Sequence, residues 1–175
     1  MQLQHRITID LLEFIKTAKF DYIKLGQTKE WILNNFPDPD GFQDSPEVYD
    51  FPVWWYGNIE FHFSGEELFL IHSDYIETLD GGESLKLKKW IFSEPEKLSL
   101  SYVLEQLNQQ RIDFKVEHHA SNELSSVNVT ILKSGVKLGF SPAENDDEEL
   151  DAYLQRNKNG DSNTFRLHGF SLSYT

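Results

Sequence analysis

The stretch that most constrains this chain is residues 53–76, VWWYGNIEFHFSGEELFLIHSDYI. No other stretch of the sequence sets so many aromatic and β-branched residues between such clear turn signals. Gly57-Asn58 separates the first run from Ile59-Glu60-Phe61-His62-Phe63, and Ser64-Gly65-Glu66-Glu67 separates that from Leu68-Phe69-Leu70-Ile71-His72. Such punctuation predicts a three-stranded antiparallel meander. The strand period of two puts Ile59, Phe61 and Phe63 on one face, which is the expected core, and Glu60 with His62 on the other. Regular pairing then adds Leu68, Leu70 and His72 to the core face and sets His72 opposite in orientation to His62.

Helices are expected on either side. Residues 8–19 carry Ile9, Leu11, Leu12, Phe14 and Ile15 near a helical spacing, with Thr8 and Asp10 as capping residues. Thr28 caps a second short helix that Phe36-Pro37 ends, because the residue before a proline is pushed out of helical angles. Residues 37–52 hold no Lys or Arg and read as a long exposed loop. Residues 85–92 alternate as a fourth strand. The clearest helix repeats Leu100, Val103, Leu104 and Leu107 at three and four behind Ser99 or Ser101. Strands follow at 112–117, 127–132, 136–140 and 165–174, with Gly169 marking a bulge in the last.

These elements predict one α+β domain over residues 1–175, with two to four helices on one face of antiparallel sheet. The order of helix and strands is echoed in halves 1–95 and 96–175. Ile59, Phe61, Phe63, Leu68, Leu70, Leu104 and Leu107 are expected in the core.

The segment Ile23-Lys24-Leu25-Gly26-Gln27-Thr28-Lys29-Glu30, the following Asn34-Asn35-Phe36-Pro37, and Trp55-Tyr56-Gly57-Asn58-Ile59-Glu60-Phe61-His62-Phe63 resemble a group of small uncharacterised bacterial proteins. That likeness covers the first half of the chain. The first part is also similar to the helix-plus-sheet units of the SmpA/OmlA and β-lactamase-inhibitor-protein type, through the short Gly-x-Thr start of its helix. This second resemblance implies a binding module. Phe36 before Pro37 departs from its usual Leu-Gly-x-Pro, and neither likeness assigns a functional residue here.

Composition narrows the chemistry. The chain has no cysteine, which excludes disulfides, thiolate metal sites and cysteine nucleophiles. No apolar run approaches a membrane span, and the N-terminus lacks a cleavable leader pattern, so a soluble, cytoplasmic protein is expected. The net charge of −13, from 29 acidic and 16 basic residues, disfavours nucleic acid and suits a cationic protein partner. An acidic surface also serves solubility alone.

Catalytic motifs are absent: there is no Gly-x-Ser-x-Gly, no Walker loop and no Gly-x-Gly-x-x-Gly. His118 and His119 point to opposite faces of a strand, His72 reads as a core histidine, and His168 has no neighbouring ligand type. Asp38-Pro39-Asp40-Gly41 lacks the other ligands of a calcium loop. No cofactor or metal is expected. The sequence thus suggests a non-catalytic acidic binding protein, an immunity protein or inhibitor of a cationic bacterial toxin. A carboxylate-dependent hydrolase and a regulatory or scaffolding protein are the alternatives. The expected partner-binding residues are the acids Asp38, Asp40, Asp44 and Glu47, the aromatic residues Trp54 and Tyr56, and the run Glu144, Asp146, Asp147, Glu148 and Glu149. That run opens an expected acidic surface helix anchored by Leu150, Tyr153 and Leu154.

Overall fold

The computed structural model describes residues 6–44, 51–120, 125–143 and 164–174. Its framework is an eight-stranded antiparallel sheet in the order β2-β3-β4-β5-β10-β9-β8-β7, with helices packed on one face. The strands are β2 (Gly41–Gln43), β3 (Val53–Tyr56), β4 (Ile59–Ser64), β5 (Glu67–Ser73), β7 (Phe114–Ala120), β8 (Ser125–Ile131), β9 (Lys137–Pro142) and β10 (Phe165–Ser173). A separate parallel pair joins β1 (Ile7–Asp10) to β6 (Leu85–Lys88). The fold is α+β.

The meander at 53–73 forms as its turn residues dictate, with Gly57 and Gly65 at φ +61° and +59° in the left-handed region that glycine adopts without a Cβ penalty. Ile59, Phe61 and Phe63 are fully buried. The pairing of β5 differs from the expected one, since Phe63 faces Leu68 while His62 faces Leu70, which leaves Phe69 as an extra, bulged residue. One inserted residue reverses every side chain beyond it. Leu68, Ile71 and Ser73 therefore point into the core, while Leu70 and His72 turn to the other face and are only half-buried. Leu104 is also half-buried, on the flank of its helix, whereas Leu107 is fully enclosed.

Three further expectations are corrected. Residues 7–10 are strand and not helix, because Ile7, Thr8 and Ile9 pair with Leu85, Lys86 and Leu87, a non-local contact that outweighs the local periodicity. Helix α1 (Leu11–Thr17) starts only at Asp10, whose carboxylate accepts from the Leu12 and Glu13 amides, so Thr8 is not a cap. Residues 85–92 do not extend the main sheet; β6 ends at Lys88 and a 3-10 turn covers Trp90–Ser93, with Trp90 at φ +49°. Within the expected loop 37–52, residues 41–43 form the edge strand β2 against β3.

Helix α2 (Lys29–Asn35) is capped by Thr28 and α3 (Leu100–Gln109) by Ser99, each side chain accepting an amide of its first turn. Each cap also bridges the start of the last eight-stranded-sheet strand of its half: Thr28 to Glu67 of β5 and Ser99 to Arg166 of β10. The bulge expected at Gly169 is present, with His168 as its extra residue between Leu167 and Gly169. α2 with β2–β5 and α3 with β7–β10 are thus topologically equivalent sets, and β5 pairs with β10 to fuse them. The core between sheet and helices is aromatic: Phe61 meets Phe20, Phe36 and Tyr56, and Phe170 meets Phe14 and Phe92.

Candidate partner-binding face

The face of the sheet away from the helices carries Trp55, Glu60, His62, Leu70 and His72 on neighbouring strands. Trp55 stands opposite Glu60 and Glu60 opposite His72, so the three form a row across β3, β4 and β5. His62 Nε2–H donates to a Glu60 carboxylate oxygen at 2.7 Å, with 17% and 19% of the two side chains exposed. The His62 and His72 rings lie 6.5 Å apart, which corrects the expectation that they sit on opposite faces. The Phe69 bulge is the cause. His72 is not a core histidine; it is half-buried, and its Nδ1–H donates to the Phe170 carbonyl at 3.1 Å.

Electrostatically the row is built to keep Glu60 charged. The His62 hydrogen bond holds its carboxyl below the usual carboxylate range against burial, which pushes it up, and His72 and the Trp55 indole act in the same sense as His62. A fixed carboxylate flanked by an aromatic ring and two imidazoles can accept a cationic side chain or donate and accept hydrogen bonds. Among the described residues, no group of three or more His, Asp or Glu is arranged to hold a metal ion.

A second charged region lies at the loop end of the first half. Asp40 accepts from the Gly57 amide at 2.5 Å and from the Glu83 amide at 3.1 Å, Asp80 accepts from the Gly82 amide, and Ser84 donates to the Asp38 carbonyl. Three segments far apart in sequence are tied there by one aspartate. Backbone amides organise the Asp40 and Asp80 carboxylates without cancelling their charge, and among the described residues no Lys or Arg pairs with Asp40, Asp80 or Glu83.

The other expected site residues separate. Asp44 is exposed and pairs with Lys29 at 3.3 Å. Trp54 and Tyr56 are interior: Trp54 packs on Phe63 at 4.6 Å, and the Tyr56 hydroxyl donates to the Pro37 carbonyl at 3.0 Å. Burial first, and then the nearby Asp38 and Asp40 charges, push the Tyr56 phenol far above its usual range. Neither ring offers surface to a partner, and Trp55, on the opposite face, is the half-buried member of the Trp-Trp-Tyr triplet. Glu47, Glu144, Asp146, Asp147, Glu148 and Glu149, with the expected helix around them, lie outside the described residues.

Strand periodicity in the sequence sets Glu60 and His62 on one face, so the carboxylate and its hydrogen-bond donor are legible from spacing. His72 is not, because the bulge has no glycine to announce it. Elsewhere, a cleft of about 540 Å³ lies at the seam of the two sets, lined by Asp74, Tyr75, Ser141, Arg166 and His168 among others. The Arg166 guanidinium there is engaged by the Pro95 and Glu96 carbonyls. No helix among the described residues is long and apolar enough to cross a membrane. No known family model, curated protein or solved structure matches the chain.

Proposed function

We propose that this chain is a non-catalytic binding protein that captures a cationic protein, acting as an immunity protein or inhibitor against a basic toxin such as a nuclease. The observation that carries this reading is the anchored acidic loop end, where Asp40, Asp80 and Glu83 hold negative charge on a rigid backbone in a chain of net charge −13. Pre-positioned charge of one sign steers an oppositely charged partner and accelerates its association. The half-buried Trp55 and Glu60 on the sheet face away from the helices supply what a steering field lacks: an aromatic anchor beside a fixed carboxylate for an Arg or Lys. The acids at 144–149 add to the field by sequence alone.

The test is affinity capture from the native cell with identification of the bound protein, followed by co-expression. The reading expects a basic partner whose toxicity in a host is relieved by this chain and restored by Glu60→Lys with Trp55→Ala. A partner of acidic or neutral charge, or protection unaffected by those substitutions, contradicts it.

A further inference from the structure

β7 is the outermost strand of the sheet, and among the described residues nothing pairs with its outer edge. The opposite edge, β2, is only three residues long and follows Pro39, which is how sheets blunt an edge. β7 is seven residues long and pairs with β8 without a break.

The ladder fixes which backbone groups are open. The Leu132 amide donates to the Asp113 carbonyl at 2.9 Å, and Phe114 stands opposite Ile131. In an antiparallel pair hydrogen-bonding residues alternate, so Asp113, Lys115, Glu117 and His119 turn their backbone toward β8. Phe114, Val116 and His118 turn theirs outward.

We propose that this edge binds a second copy of the chain, with the two β7 strands antiparallel about a two-fold axis at Val116. In that register the outward-facing residues meet one another: Val116 faces Val116 of the second copy, and Phe114 faces His118 of the second copy. The side chains on the open face are complementary as well. Lys115 faces Glu117 of the second copy and Asp113 faces His119 of the second copy, each contact occurring twice by symmetry. Moving the axis by one residue would set Lys115 against Lys115, or Glu117 against Glu117, of the second copy, and like charges directly opposite are unfavourable.

Lys115 and Glu117, with 62% and 40% of their side chains exposed, already pair along the strand at 2.8 Å, so dimerisation joins two such pairs into one four-charge cluster. The half-buried Phe114 and Val116 supply the apolar surface that pairing covers. The contact is a single strand edge and must overcome the repulsion of two acidic chains, which makes it a concentration-dependent dimer and not a permanent one.

The measurement is sedimentation equilibrium of the full chain over a wide concentration range at physiological ionic strength, with circular dichroism to show that each variant is folded. The mass should rise from 20.4 kDa toward twice that value. Val116→Pro, which removes an outward amide that β8 does not use, should hold the chain monomeric. Lys115→Glu should do the same by facing Glu117 of the second copy, and Lys115→Glu with Glu117→Lys should restore the dimer. A wild-type chain that stays monomeric overturns the proposal. So does a dimer indifferent to Val116→Pro and Lys115→Glu, or one that the double exchange fails to restore.

Discussion

His72 pairs with Ser171 at the centre of the eight-stranded sheet, and the ladder is symmetric about that pair. Ile71 faces Leu172 on one side of it and Ser73 faces Phe170 on the other. Carried outward, the same relation matches the bulged residue Phe69 to His168, Glu67 to Arg166 and the cap Thr28 to Ser99. The two sets meet through buried side chains and are held by one core, because Phe170 of the second set packs on Phe14 and Phe92 of the first half of the chain.

That shared core predicts a single unfolding transition. Trp31, Trp54, Trp55 and Trp90 all lie in the first half, so tryptophan fluorescence reports that half while far-ultraviolet circular dichroism reports both. The two denaturation curves should coincide. Phe170→Ala should shift both together, by about 3–5 kcal/mol. Separate midpoints would mean that the sets fold independently.

Within the first set, Phe61→Ala removes a ring that touches Phe20, Phe36 and Tyr56 and should also cost about 3–5 kcal/mol in chemical denaturation. A near-neutral result would contradict the assignment of this face to the core.

The features legible in the sequence are those with local causes. Asp10, Thr28 and Ser99 are caps because a short oxygen-bearing side chain precedes an apolar helical run, and Gly57 and Gly65 mark hairpins because their positions need positive φ. What was hidden has non-local causes. β1 exists only because β6, far along the chain, offers it a partner, and the Phe69 bulge depends on how β5 accommodates β4. That bulge alone moved His72 into the Glu60 row. Trp54 and Tyr56 could not be ranked against Trp55 from composition, since three adjacent rings must divide between two faces and only packing decides which way.

The loop end makes a prediction about glycine. A methyl on Gly57 would overlap the Asp80 carbonyl and the Gly82 amide, whereas one on Gly65 meets nothing within 4 Å, although both have positive φ. Gly65→Ala should cost about 1–2 kcal/mol from backbone strain alone. Gly57→Ala should cost about 1–3 kcal/mol more by displacing the loops that Asp40 ties together. Equal effects in thermal or chemical unfolding would show that the loop end is not tightly packed.

Glu60 gives a pH dependence of definite sign. Its carboxyl is held below the ordinary value of 4.5 in the folded protein, so the stabilisation it provides is complete above that value and is lost as pH falls through the lowered one. Glu60→Gln should therefore destabilise by about 1 kcal/mol at neutral pH, and its difference from wild type should shrink in acid. A difference that is constant from pH 7 to pH 3 would show that no charged interaction is made.

The central claim is that fixed negative charge steers a cationic partner, and the most direct measurement is the association rate constant as a function of ionic strength, by stopped flow with the captured partner. The wild-type rate should fall steeply with added salt. Reversal of Asp146, Asp147 and Glu148 to Lys, combined with Glu83→Lys, should lower the rate at low salt and flatten its slope while leaving the dissociation rate little changed. Rates and slopes that the four reversals leave unchanged would contradict the account.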